Sequence, residues 1–229
     1  MTRIAALSFD LDDTLWELGQ VIRRAEQALH DYLERYHPSV AARFDIDAMA
    51  ELRQQVAGER PAIAHDLTVL RIETLRRAAR ISGESDELAL PAFRVFLNAR
   101  NRVRVFPETR PVLEQLALRW PLLALSNGNA DIQRIGLGDY FQHTISPAEA
   151  GAAKPDPAMF ALACDRIGVD PAQVVHIGDD PLTDVTGAAR FGLRAVWMNR
   201  DDAPWPEELP SVPHQRVRSL TELPGLLMA

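Results

Sequence analysis

Phe9-Asp10-Leu11-Asp12-Asp13-Thr14-Leu15 is the stretch whose reading decides the fold. It follows a short apolar run, Ile4 to Leu7, with the character of a buried strand. Asp10, Asp12 and Asp13 then fall within four positions, where that strand should end. Carboxylates crowded at a strand end raise one another's cost unless a cation or a reacting electrophile offsets them. Thr14-Leu15-Trp16 continues without the glycine or proline of an ordinary turn, which argues against a mere polar loop.

Outward from this stretch the texture of the chain changes twice. From Leu18 to Tyr36 the apolar residues recur at helical spacing, and Pro38 closes that helix. Helical patterns follow from Ile46 to Val56, from a cap at Asp66 to Ala79, and from Glu87 to Phe96, with no strand pattern before Arg102. Beyond Val103 strands and helices alternate. Strands are expected at Pro121–Leu125, Thr144–Ile145, Val174–Ile177, Arg194–Met198 and near Arg216. Helices are expected at Glu108–Leu118, Ile132–Leu137, Pro157–Ile167 and Leu182–Phe191. Such alternation predicts a parallel sheet with right-handed crossovers. The expected fold is α/β: a Rossmann-like parallel sheet core of residues 1–16 plus 103–229, with an inserted all-helical domain at 17–102.

Composition narrows the function classes. The 229 residues carry a net charge of −7, which argues against nucleic-acid binding through a broad basic face. No stretch approaches the ~20 apolar residues of a membrane span, and Asp10 interrupts any signal-peptide pattern. A soluble cytoplasmic protein, monomer or homodimer, is expected. The single cysteine, Cys164, allows no internal disulfide and sits at an apolar helix position, which reads as core. Among 25 Lys and Arg residues, Lys154 is the only lysine. Two readings fit it: a site that wants a compact ammonium rather than a planar fork, or chance survival.

Three polar clusters follow predicted strands: Asp10–Thr14, Ser126–Asn129 and Asp179–Asp184. Lys154 lies on a fourth loop, before a predicted helix. In an open parallel sheet, ligands bind beyond the carboxyl ends of the strands near the switch in strand order. The clusters should therefore converge. They supply carboxylates, a hydroxyl beside backbone amides, and one ammonium, a set that suits a phosphoryl group held with a hard divalent cation.

These positions resemble the four motifs of the haloacid dehalogenase superfamily, in order: FDLDDTL at 9–15, Ser126 in LSNGN, Lys154 in AKPDP, and GDDPLTD at 178–184. The insertion point resembles that of its members with helical caps. Within the superfamily, Ser8–Glu17, Ile63–Leu75, Leu137–Phe141 and His176–Val185 resemble the YigB-type phosphatases. That branch acts on flavin mononucleotide and on a phosphorylated ribitylamino-uracil precursor of riboflavin. The resemblance implies a magnesium-dependent phosphatase acting on a small phosphorylated metabolite. In it Asp10 attacks phosphorus and forms an aspartyl-phosphate, and Asp12 carries the proton. It implies Mg2+ held by Asp10, the Asp12 backbone carbonyl and Asp179. Ser126 and the Asn127 amide would hold a phosphoryl oxygen, with Lys154 offsetting its charge. Asp12 favours phosphatases over the superfamily's dehalogenases, which typically lack that carboxyl. A 2-haloacid dehalogenase and a non-catalytic regulatory or binding protein on the same fold are the alternatives.

Several positions admit two readings. Ser126 also suits a turn cap. Asp184 orients Lys154 or a metal-bound water, or is a first-turn helix residue facing the dipole. Asp180 competes with Asp179 for a place at the metal, and Asp179 fits better because it follows Gly178. Thr14 supports the loop, and Asp13 is structural. His65 and Asp66 start a helix or reach a substrate from the insertion. Trp16 lines the mouth of the site or packs the hinge. His176, inside an apolar strand, reads as a satisfied core histidine, and the histidines show no metal-ligand spacing.

Overall fold

The computed structural model describes residues 3–228 and resolves them into two compact units. Residues 1, 2 and 229, part of the expected core, lie outside the described residues. One unit is Leu18–Val103 with Asn129–Asp131; the other comprises the chain through Glu17, Arg104–Gly128 and the chain from Ile132 onward.

The first unit is helical: α1 Leu18–Tyr36, α2 Pro38–Arg43, α3 Ile46–Glu59, α4 Leu67–Ile81 and α5 Ala89–Arg100. In α1, Val21, Ala25, Leu29 and Leu33 repeat every four residues and form one buried stripe. Pro38 does more than end α1. It opens α2, where its missing N–H costs nothing in the first turn. Asp66 caps α4 by accepting from the amides of Thr68 at 2.9 Å and Val69 at 3.1 Å. Leu29, Leu33, Leu52, Leu75, Phe93 and Phe96 close the core of this unit. Burying each such side chain contributes roughly 1.5–3 kcal/mol.

The second unit holds six parallel strands: β1 Ala6–Phe9, β2 Leu122–Leu125, β3 His143–Ile145, β4 Val174–Gly178, β5 Arg194–Met198 and β6 Gln215–Val217. Every residue of β1, β2 and β4 is buried, as expected for a parallel sheet covered on both faces. The accompanying helices are α6 Thr109–Ala117, α7 Ile132–Ile135, α8 Pro147–Ala150, α9 Pro157–Ile167, α10 Gly187–Phe191 and α11 Leu223–Met228. Among the described residues no helix is long and apolar enough to cross a membrane.

Strand order is β3-β2-β1-β4-β5-β6. The chain builds outward on one side of β1, then returns to its other side. This makes the β1/β4 junction the switch point at which an open sheet binds ligands. Phe9 pairs with Ile177 across it, and the Asp10 N–H donates to the Ile177 carbonyl at 2.8 Å. Asp10 and Asp179 therefore leave neighbouring strands at the same end.

The expected helix over 182–191 is divided. A wide π-type turn, Pro181–Thr186, precedes the short α10. Asp180 caps that turn, accepting from Leu182 N at 2.9 Å and Thr183 N at 2.6 Å.

Candidate active site

The only lysine lies at the centre of the converging loops. Lys154 is buried, and its ammonium donates three hydrogen bonds: to Asp10 Oδ1 at 2.7 Å, to the Leu125 carbonyl at 2.6 Å and to Asp184 Oδ1 at 2.6 Å. An ammonium has three donors, so all are used. The partners come from the ends of β1 and β2 and from the turn after β4. One side chain thus ties together loops that are far apart in sequence.

The loop that carries Lys154 is held in turn by Asn127. Its side-chain amide donates to the Lys154 carbonyl at 2.9 Å and accepts from the Lys154 N–H at 2.7 Å. Ser126 Oγ accepts from Gly128 N at 3.0 Å, so the turn-cap reading of this serine describes what its oxygen does.

Asp184 is the second hub. Its Oδ1 also meets His176 Nε2 at 3.1 Å, and its Oδ2 accepts from Asp180 N at 3.1 Å. The wide turn swings this side chain back over the end of β4. There Gly178 is required, since a Cβ at that position would lie 2.3 Å from Asp184 Cγ. Asp184 does lie in the first turn of its π-type segment, and there it is buried and paired with Lys154. Asp180 directs its carboxylate into its own turn.

One oxygen from each of Asp10, Asp179 and Asp184 lies within 4.8 Å of the others. Asp179 Oδ1 also accepts from Thr14 Oγ1 at 3.2 Å. Three carboxylates face a single ammonium, and burial and neighbouring charge move their proton affinities in different directions. Burial, opposed by Lys154, raises the Asp10 carboxyl well above the ordinary range. Burial, with the charges of Asp184 and Asp13 added, pushes Asp179 up to about 7. Burial also works against Asp184, yet the Lys154 ammonium and the His176 hydrogen bond hold it well below the usual carboxylate range. The Lys154 ammonium, despite its burial, is held above its ordinary value by Asp10 and Asp184. An all-oxygen cluster of this kind fits a hard divalent cation such as Mg2+, which oxygens of Asp10, Asp179 and Asp184 are close enough together to hold.

Asp12 is half-buried, and its Oδ1 accepts the Trp16 indole N–H at 2.8 Å. Trp16 is fully buried and bridges both Asp12 and Val105, so it packs the loop and offers no face to a substrate. The opening stretch does form a turn. Asp13, at φ 56°, takes the left-handed conformation that glycine would otherwise provide, and its N–H donates to the Trp16 carbonyl at 2.7 Å. The absence of glycine therefore did not exclude a turn, because aspartate tolerates that region. His65 and Asp66 belong to the helical unit, where Asp66 is spent on capping α4.

Other participants were not identified from the sequence. His176 is satisfied, as expected for a core histidine, but its partner is Asp184. Ser8, which precedes Asp10 by two residues, bonds the other ring nitrogen at 2.8 Å. Arg200 donates to the Thr14 carbonyl at 3.1 Å and to Glu108 at 2.8 Å, while its guanidinium covers the Phe106 ring. Trp197 donates to the Asp179 carbonyl. Trp197, Arg200, Asp179 and Asp13 line a cleft of about 670 Å³ in this unit. The strand alternation could have flagged Ser8. Nothing in the sequence marks Trp197 or Arg200.

Residues 4–192 match the haloacid dehalogenase-like hydrolase family. The chain is 36% identical to the 5-amino-6-(5-phospho-D-ribitylamino)uracil phosphatase YigB of Escherichia coli K12, over 98% of this chain and 97% of that protein. It is 35% identical to a phosphoserine phosphatase of Thermus thermophilus, over 67% of this chain and 63% of the relative. A solved structure described as a 2-haloacid dehalogenase, from Pseudomonas syringae pv. Tomato DC3000, superposes with a TM-score of 0.91 at 37% identity, covering 98% of both chains.

Proposed function

The chain belongs to the haloacid dehalogenase-like hydrolases, and from that premise we propose that it is a phosphatase acting on small phosphate monoesters. The observation that carries this reading is the surplus of carboxylates around Lys154, together with Asp12 two residues after Asp10. Displacement of halide from carbon needs neither a cation nor a general acid, because halide leaves unprotonated. Loss of an alkoxide from phosphorus needs both charge neutralisation and a proton.

Each residue then has a task. The Asp10 carboxylate forms a bond to phosphorus as the bond to the leaving oxygen breaks, giving an aspartyl-phosphate. Asp12, its carboxyl oriented by the Trp16 indole, gives the leaving oxygen its proton. It then takes a proton from the water that attacks phosphorus, and inorganic phosphate departs with Asp10 restored. Lys154 stays charged throughout and offsets the phosphoryl charge beside Asp10. Ser126 and the Asn127 amide hold a phosphoryl oxygen, with the Asn127 side chain fixing the Lys154 backbone. Asp10, the Asp12 carbonyl and Asp179 would hold Mg2+, which would supply Lewis-acid neutralisation of that charge. Thr14 and Asp184 hold the metal and lysine positions.

The substrate proposed is flavin mononucleotide or the phosphorylated ribitylamino-uracil of riboflavin formation. The likeness to YigB along nearly the whole chain supports it. The helical unit, as the cap, carries substrate choice in this reading. The 2-haloacid dehalogenase is the rival reading, favoured by the similarity to the Pseudomonas structure. A Mg2+-dependent screen over phosphate monoesters that includes flavin mononucleotide, run beside halide release from a 2-haloacid, tests both. Phosphate release that disappears in Asp10→Asn supports the phosphatase. Halide release without phosphate release overturns it.

A further inference from the structure

Five buried side chains form a nearly closed chain of hydrogen bonds behind the site. Ser8 lies in β1, and Asp10 follows two residues later, just past the strand's end. Ser8 is paired in register with His176 on β4, and its Oγ lies 2.8 Å from His176 Nδ1. His176 Nε2 reaches Asp184 Oδ1 at 3.1 Å, Asp184 Oδ1 reaches Lys154 Nζ at 2.6 Å, and Lys154 Nζ returns to Asp10 at 2.7 Å. All five are buried, so each mispaired group would bear its full desolvation cost.

The chemistry of the partners fixes the protons. Asp184 Oδ1 already accepts from an ammonium and is a carboxylate, so the ring nitrogen facing it must carry hydrogen. The other nitrogen of a neutral imidazole then has only a lone pair to offer, and a serine hydroxyl can donate to it. Burial favours the neutral ring. Edge-on packing of Phe160 against the imidazole, centroids 5.5 Å apart, restricts its rotation.

We infer that Ser8 and His176 are positioning residues of this enzyme: Asp184 sets His176 as the Nε2–H tautomer, the Ser8 hydroxyl donates to its Nδ1 and holds the ring in place, and the Nε2–H fixes the Asp184 oxygen on which Lys154 is oriented toward Asp10. Neither residue touches the substrate. With the wrong tautomer two lone pairs would face each other, and Asp184 would turn from its place. The inference deepens the phosphatase reading and rests on it for its kinetic consequence, but its structural core is independent of substrate.

The test has two arms. In the first, nitrogen NMR of the His176 ring reports the tautomer in wild type and in Ser8→Ala. The expected result is an Nε2–H ring in wild type and, in Ser8→Ala, a ring still protonated at Nε2 whose Nδ1 signal shifts because its hydrogen bond is lost. An Nδ1–H ring in wild type, or an Nδ1 signal unchanged in Ser8→Ala, overturns the assignment. In the second, turnover of p-nitrophenyl phosphate is compared across variants with equal thermal midpoints. Ser8→Ala and His176→Leu are expected to lose about tenfold or more in kcat with little change in KM. His176→Gln, which keeps a donor near the Nε2 position, recovers most of it. Equal kcat in all the variants overturns the positioning role. If the protein hydrolyses no phosphate monoester, the phosphatase reading fails while the NMR arm still decides the tautomer assignment.

Discussion

The indole Nε1 of Trp197 donates to the backbone carbonyl of Asp179 at 2.8 Å. This ties β5 to the backbone of the residue whose carboxylate is expected to hold the metal, while Thr14 Oγ1 steadies that residue's side chain. Outer partners of this kind tune metal sites as strongly as many ligands do. Trp197→Phe keeps a ring in the Trp205 and His214 cluster but removes the donor. It is expected to weaken Mg2+ binding about tenfold, read by isothermal titration with Mg2+. Unchanged affinity would remove Trp197 from the account of the site.

Lys154 makes three hydrogen bonds in three directions, which a planar guanidinium cannot reproduce. Lys154→Arg should retain charge yet lose at least about a hundredfold in kcat, since geometry and not charge alone is removed. Lys154→Met should destabilise the fold by about 3–5 kcal/mol, because Asp10 and Asp184 would be left buried without their cation. Urea unfolding measures the second effect, and turnover the first.

These residues show how far the sequence could be read. The alternation of elements and the clusters after the strands pointed to the sheet and to the end at which the loops meet. Lys154 stood out as the only lysine. The Asp66 cap was visible because side-chain capping is local in sequence. What stayed hidden depends on tertiary geometry. Asn127 showed its neighbours as a turn and not its side-chain grip on Lys154. The wide turn at Pro181–Thr186 looked helical, since its residues suit either state and only the inward reach of Asp184 distinguishes them. His176 looked like a core position, which it is, and Ser8 drew no reading of its own, but strand register makes both partners of the site.

Gly178 allows Asp184 to fold back over β4. A methyl group there would sit 2.3 Å from Asp184 Cγ, so either the strand end or the carboxylate must move. Gly178→Ala is expected to cost about 1–3 kcal/mol by overpacking and to lose turnover as well. Thermal unfolding together with a phosphatase assay separates this outcome from a harmless substitution, which would leave both unchanged.

Cys164 is buried and its thiol is pushed up to about 11, chiefly by burial, with Asp165 and Asp170 adding to it. At pH 8 only about one molecule in a thousand would carry the thiolate, which is the reactive form. Ellman's reagent should therefore react slowly with the native protein and rapidly after unfolding. The sign of the linked stability follows. The folded state holds this proton more tightly than the unfolded chain, whose thiol has a pKa of ~8.5. The contribution is fully present below that value and is lost as pH rises toward about 11.

Magnesium should stabilise the metal-free protein. Asp10, Asp179 and Asp184 crowd one ammonium, and a divalent cation relieves that repulsion only in the folded state. A rise in thermal midpoint on adding Mg2+, reversed by EDTA, is expected. The rise should be absent in Asp179→Asn.

The central claim is that Asp10 forms its covalent bond to phosphorus and that water then attacks phosphorus. Turnover in heavy-oxygen water, followed by mass spectrometry of the released phosphate and of the Asp10 peptide, tests it most directly. The account predicts labelled phosphate from a phosphate monoester, an unlabelled Asp10 carboxylate and no halide from a 2-haloacid. Label accumulating in Asp10 during halide release, with no phosphate formed from the esters, would contradict it.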